Sequence, residues 1–272
     1  MAFLPMSVLA ILSLVGAATP AGAPQSGERV DVALVLAGDV SGSMTAAELR
    51  LQRDGFAAAF RNPALLQAIR AGTLRRIAVA YVDWAGPGEH WQIVPWTIIT
   101  DQPTSDAFAD RLAAAPVVRG HLTSLSDGLL FAAAQFAGMT VTPDRMTIDV
   151  SGDGPNNAGP AMAATRDLVV GEGITVNGLP LGAGKPEVTR GPKGAAPQSF
   201  QVDLDAYFSS CVIGGEGAFT MPVVTPAELF EAIQRKLILE IAAQPARLVP
   251  AAFVALPATA NCDAERDIQY PP

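Results

Sequence analysis

Aromatic residues are scarce in this 272-residue sequence, at 6%, and histidine and cysteine occur only twice each. With His90 and His121 as the sole imidazoles, a three-histidine zinc site is excluded. Basic residues are outnumbered, 18 Lys and Arg against 26 Asp and Glu, and stand singly or in pairs such as Arg75–Arg76. A nucleic-acid partner needs a clustered basic face to displace counterions from phosphate, so the composition argues against one. No G-x-x-x-x-G-K-[ST] phosphate loop is present. A hydrolase elbow, Gly-x-Ser-x-Gly, is also missing, because Gly38-Asp39-Val40-Ser41-Gly42 places its serine one position late.

What the sequence has instead is aliphatic bulk. Half of its residues are hydrophobic, enough for a large core in one medium α/β domain, alone or with an appendage. Such a mix suits a sheet covered by helices better than an aromatic-rich sandwich. The net charge of −8 suits solubility and cation binding.

An apolar run from Met6 to Ala18, followed by Ala21-Gly22-Ala23, reads as a secretory signal over residues 1–23. The run is shorter than the roughly 20 apolar residues of a membrane span, and no later segment is long enough for one. No Lys or Arg precedes it, which departs from the usual pattern, and a buried N-terminal helix is the competing reading. Export is the expected destination. In an oxidising compartment Cys211 and Cys262 are expected to form one disulfide rather than remain free thiols. Closing a loop of roughly 50 residues would stabilise the fold by about 4 kcal/mol in the chain-entropy treatment. It would tie a C-terminal tail, residues 246–272, to the last core strand of a domain spanning 24–245.

Residues 30–38 (VDVALVLAG) form a nearly continuous apolar run, typical of a central strand buried on both faces. Thr45 with Glu48 predicts a capping box for a helix that continues through Leu49, Arg53, Phe56, Ala57 and Phe60 and stops at Asn62-Pro63. Further strands are expected at 77–84 and 91–98, joined as an antiparallel hairpin by Gly86-Pro87-Gly88, and at 146–150, 174–181 and 211–214. Helices are expected at 105–114, 123–136, 162–170, 203–209 and 226–242. Residues 182–200 have no periodicity and read as a flexible surface loop. The alternation predicts a doubly wound, mostly parallel six-stranded sheet with one antiparallel edge hairpin and helices on both faces.

Ligands in such sheets bind beyond the carboxyl ends of the strands. Two polar, Gly-rich segments fall there, Asp39–Ser43 and Ser151–Asn157, and Thr123-Ser124-Leu125-Ser126 opens a helix. Three oxygen-rich segments suit a hard cation such as Mg²⁺, which takes one or two carboxylates and keeps several waters.

Asp39-Val40-Ser41-Gly42-Ser43 resembles the D-x-S-x-S of the metal-ion-dependent adhesion site in von Willebrand factor A-type (vWA) domains. Thr123 through Leu129 (TSLSDGL) is similar to that family's Thr element, and Asp153-Gly154-Pro155-Asn156-Asn157 to its Asp-Gly element, in the same order. The resemblance covers roughly residues 30–242. The strings YVDWAG, DVSGDGPNN, GITVNGLPL and VIGGEGAF are similar to an exported bacterial branch of the superfamily to which no biochemical activity is attached.

The resemblance implies a vWA fold and one divalent cation, Mg²⁺ foremost with Mn²⁺ or Ca²⁺ as alternatives. Ser41 and Ser43 would ligate through their hydroxyls, Thr123 directly or through water, and Asp39 and Asp153 mostly through bound waters. One coordination position would stay open for an Asp or Glu carboxylate of a protein partner. Ser124 and Ser126 lie within reach of the Thr123 position. Ser124, His121, Asp83 and Asn156 are candidates for the rim, although Asn156 and Asn157 also suit turns. Asp83 and Trp84, with Trp91 and Trp96, would form either a binding rim or core packing.

Three functions compete. The first is a non-enzymatic, cation-dependent interaction module of adhesion type, its partner and oligomeric state unspecified by the sequence. The second is a metal-assisted hydrolase, for which Asp83, Asp101 and Glu48 are the available bases. The third is a periplasmic small-ligand binding protein with residues 182–197 as a lid.

Overall fold

The computed structural model describes residues 27–182 and 203–242, Cys262, and the backbone of Glu187–Thr189 and Gln198–Phe200. The proposed signal and most of the C-terminal tail lie outside these residues, as does most of the 182–197 loop.

The chain enters through a short strand, β1 (Arg29–Val30), and continues as β2 (Val32–Asp39), in which every residue is buried. α1 (Ala46–Arg61) starts at the predicted capping box, with both reciprocal hydrogen bonds between Thr45 and Glu48 present. Asn62 ends α1 and at once caps α2 (Pro63–Ala71), its Oδ1 accepting from Ala64 N at 2.9 Å. Proline at the first helical position costs no hydrogen bond, so Asn62-Pro63 is both a stop and a start, and the sequence reading found only the stop.

β3 (Ile77–Trp84) and β4 (His90–Ile99) form the expected antiparallel hairpin, followed by α3 (Gln102–Ala114) and α4 (Leu125–Ala134). β5 (Thr142–Pro143) pairs with β1, and β6 (Met146–Gly152), α5 (Met162–Gly171) and β7 (Ile174–Pro180) complete the sheet. β8 (Glu187–Thr189) and β9 (Gln198–Phe200) pair with each other within the segment expected to lack structure. α6 (Leu204–Tyr207) and α7 (Leu229–Ala242) close the described chain.

The main sheet has five strands in the order β4-β3-β2-β6-β7, all parallel except β4. The expected sixth strand at 211–214 is not formed. Asp203 caps α6, and the helical path continues as one π-type turn over Phe208–Val212, which buries Cys211 and Val212. A short apolar run does not distinguish strand from buried helix, and here the cap upstream decides. Among the described residues, only isolated bridges, Val176–Gly214, Gly178–Thr220 and Leu181–Val223, line the β7 edge. Cys211 and Cys262 form the expected disulfide, with Cα atoms 5.5 Å apart, but it anchors to the π turn and not to a strand.

Alternation along the strands supplies two cores. Leu34, Leu36, Val79 and Tyr81 face α1, α3 and α7, while Val35, Ala37, Val82, Ile148 and Val150 face α4 and α5. β2 lies centrally, with β3 on one side and β6 on the other. The chain therefore reverses direction across the sheet beside β2, where the carboxyl ends open a crevice.

Candidate metal centre

β2 delivers Asp39 to that crevice fully buried. Its Oδ1 accepts from Ser41 N at 2.7 Å, which folds the following loop back over the strand end. Gln52 of α1 donates to the Asp39 carbonyl at 3.0 Å and accepts from Ser151 Oγ at 2.9 Å, so the helix joins both strand ends. Ser41 Oγ lies 3.0 Å from Ser43 Oγ, and Ser43 Oγ donates to Asp153 Oδ1 at 2.6 Å. Asp153 N donates to Asp39 Oδ2 at 3.3 Å. Four residues from two distant segments thus share one continuous group of oxygens. Ser43 is exposed and Asp153 half-buried, so the cluster opens to solvent while Asp39 and Ser41 form its floor.

Close approach depends on glycine at two places. A Cβ at Gly152 would meet Asp39 Oδ2 and Trp84 at 3.3 Å, and one at Gly42 would meet the His121 carbonyl at 2.4 Å. Gly42 N donates to that carbonyl at 3.2 Å, and the Arg119 guanidinium donates to the Gly42 carbonyl. The 119–123 loop is thereby laid against the Asp39–Ser43 loop.

Thr123 is buried at the end of this loop. Its N–H donates to Asn157 Oδ1 at 3.0 Å and its carbonyl accepts from Asn157 N at 2.9 Å, which fastens it to the Asp153 segment. Among the described residues no hydrogen bond joins its hydroxyl to Asp39, Ser41 or Ser43. Ser124 and Ser126 are engaged elsewhere: Ser124 Oγ donates to the Ala158 carbonyl at 3.1 Å, and Ser126 Oγ to Asn156 Oδ1 at 3.1 Å. Asn156 is buried and serves the loop, its Nδ2 donating to the Pro160 carbonyl at 3.0 Å.

The remaining rim candidates point away. His121 is exposed with its ring on Glu89 at 2.6 Å, and only its carbonyl faces the cluster. Asp83 does not reach the rim, because its side chain turns inward to Arg53 of α1 at 2.6 Å. Burial pushes its carboxyl up to about 6, against the pull of the Arg53 charge. Trp84 is wholly buried, with its indole donating to the Ala37 carbonyl, whereas Trp91 is exposed on the hairpin. The other candidate bases are helix caps: Asp101 starts α3 and Glu48 completes the α1 capping box.

Burial, and next the charge of Asp153, push the Asp39 carboxyl up to about 8. Two acids held this close resist joint ionisation, and a bound divalent cation would offset both the burial and the repulsion. Two carboxylates with two or three hydroxyls are hard oxygen donors, the chemistry that Mg²⁺ takes. Among the described residues no three His, Cys, Asp or Glu side chains gather in one group, so further donors here are hydroxyls or water. The residues present fit such an ion.

A doubly wound five-stranded sheet with these three loops at one edge is the von Willebrand factor A-type fold. The chain belongs to the DUF1194 family, described as proteins of unknown function, whose profile matches residues 29–245. Solved structures share the fold at low identity. The vWF domain of the type V pili tip protein Mfa5 from Porphyromonas gingivalis is 12% identical with TM-score 0.52, covering 81% of this chain and 98% of that one. BatB, a conserved hypothetical protein from Bacteroides thetaiotaomicron, is 18% identical with TM-score 0.51, covering 78% and 98%. Proximal thread matrix protein 1 from the mussel byssus, solved with a zinc-occupied MIDAS motif, is 15% identical with TM-score 0.50. It is covered to 47%, so this chain spans about half its length. No curated protein sequence matches. No helix among the described residues is long and apolar enough to cross a membrane.

Proposed function

We propose that this chain is a non-enzymatic, divalent-cation-dependent protein-interaction module, exported to the periplasm or exterior of a Gram-negative bacterium. The observation that carries the reading is the continuous oxygen cluster of Asp39, Ser41, Ser43 and Asp153 at the carboxyl edge of the sheet. Ser41 and Ser43 would hold the ion through hydroxyls, Asp39 and Asp153 mainly through water, with Thr123 beside them. When bound, the ion supplies a positive charge that two carboxylates leave under-neutralised, which attracts an Asp or Glu carboxylate of the partner. Mg²⁺ fits the donor set, with Mn²⁺ or Ca²⁺ as alternatives. The zinc-occupied motif of the mussel protein supports a divalent ion on this fold, and the pili tip protein supports an interaction role. The disulfide supports an oxidising compartment.

The hydrolase reading loses support because Glu48 and Asp101 cap helices and Asp83 is committed to Arg53. Two measurements test the proposal. Melting should shift upward with Mg²⁺, Mn²⁺ or Ca²⁺ in wild type and not in Asp39→Ala/Ser41→Ala. No shift with any of these ions, in protein that is folded, defeats the metal site. Capture from envelope extract should yield proteins that chelator releases; the same proteins with and without chelator would defeat the adhesion reading.

A further inference from the structure

The middle of the sheet carries a second charged cluster, separate from the carboxyl edge. β6 and β7 set Asp149 and Asn177 side by side in register with Leu36, on the face covered by α7. α7 places Lys236 and Glu240 against them, and Lys236, Asp149 and Glu240 are exposed by 0%, 1% and 2%. Lys236 Nζ lies 2.8 Å from Asp149 Oδ1 and also donates to Glu240 Oε1, while the Phe219 ring sits 5.2 Å from the nitrogen. Asn177 Nδ2 donates to the same Glu240 oxygen at 2.9 Å.

A buried ion pair is tolerated when its remaining lone pairs are satisfied. Here they are not. Among the described residues Asp149 Oδ2 and Glu240 Oε2 have no hydrogen-bond partner, Asp149 Oδ1 has only the Lys236 ammonium, and two acids share that one ammonium. Orphaned buried oxygens of this kind call for a chemical explanation.

We propose that Lys236 and Asp149 condense to an intramolecular amide that fastens α7 covalently to β6, with Glu240 carrying the proton. The net step converts one ammonium and one carboxylate into one amide and one water, and needs no oxidant or co-reactant. Glu240 takes a proton from the Lys236 ammonium, and the neutral amine attacks Cγ of Asp149. The C–N bond forms and one C–O bond breaks. The departing oxygen leaves as water, with one proton returned by Glu240 and one from the attacking nitrogen. The fold holds amine and carboxyl together permanently, which gives the step the advantage of an intramolecular reaction.

Burial depresses the Lys236 ammonium, but the charges of Asp149 and Glu240 outweigh it and hold the group above the ordinary lysine range. A base in contact is therefore needed. Burial and the Asp149 charge push Glu240 up to about 7, where a carboxyl both accepts and returns a proton near neutrality. The product replaces two charges that are costly to bury with a neutral amide.

The test is the mass of the purified full chain after its disulfide is reduced, followed by digestion. Wild type should be lighter than its chain by one water and yield a branched peptide joining Lys236 to Asp149. Lys236→Met and Asp149→Ala should each restore the full mass, and Glu240→Gln should slow the loss of water after refolding. A wild-type chain of full mass, with the two segments in separate peptides, overturns the proposal even if every variant fails to fold. A water loss that maps to Lys236 and Glu240 within α7 overturns it equally.

Discussion

Two acidic groupings occupy the same sheet, and their surroundings differ in kind. At the carboxyl edge, Asp39 and Asp153 are served by hydroxyls and backbone N–H groups, and the cluster opens to solvent through Ser43. At mid-sheet, Asp149 and Glu240 are sealed from water and the fold brings its own cation, Lys236. The first arrangement suits charge taken from solution and shared with a partner. The second has nowhere to put a charge except on itself. The same residue type on neighbouring strands is thus exposed to exchange in one place and locked into the core in the other.

Breaking the mid-sheet cluster should cost most. Lys236→Met prevents the link to Asp149, leaves Asp149 and Glu240 buried without the Lys236 nitrogen, and should lower unfolding free energy by about 3–5 kcal/mol in denaturant titration. A loss below about 1 kcal/mol would mean that water reaches the cluster. At the edge, Asp39→Ala should abolish the cation increment, which for wild type amounts to about 2.7 kcal/mol at a hundredfold excess of ion over its dissociation constant. Without ion the same variant should be neutral or more stable, because a buried acid beside another acid is gone.

Acidity sharpens the contrast. The folded-state pKa of Glu240 is raised from 4.5 to about 7, so the folded protein binds the extra proton. Its contribution to stability is fully present below 4.5 and is lost as pH rises toward 7. Stability followed by denaturant midpoint should show this fall, and Glu240→Gln should reduce it, the raised Asp39 and Asp83 carboxyls keeping the remainder. The smallest effect belongs to a control outside both clusters. Thr45→Ala removes the α1 cap, whose hydroxyl accepts from Glu48 N at 3.2 Å, and should cost about 1 kcal/mol while leaving the cation increment unchanged.

The edge cluster was legible in the sequence because each of its parts is local. A continuous apolar strand leads into Asp39-Val40-Ser41-Gly42-Ser43, and the Asp153 segment follows another strand, so polarity at a strand end marks the edge directly. Placing the hydroxyls was harder. Ser124 and Ser126 resemble Thr123 in sequence, and only their partners, Ala158 and Asn156, separate them from it. Asp83 also looked available at a strand end, until Arg53 of α1 proved to lie beneath it. The mid-sheet cluster escaped the sequence reading altogether. Its signal was an acid inside the apolar strand 146–150 and an amide inside 174–180, each out of place on a strand buried on both faces.

By itself the sequence determined the α/β class, the central buried strand, the hairpin, the α1 capping box and the motif segments at the carboxyl edge. These follow from periodicity, turn residues and caps, which act over a few residues. Tertiary structure decided the rest: that residues 208–212 wind as a π turn instead of adding a sixth strand, that Asp83 turns inward, and that Lys236 meets Asp149. Those outcomes depend on which faces are buried against each other, and burial sets whether a charge is solvated, paired or forced to react.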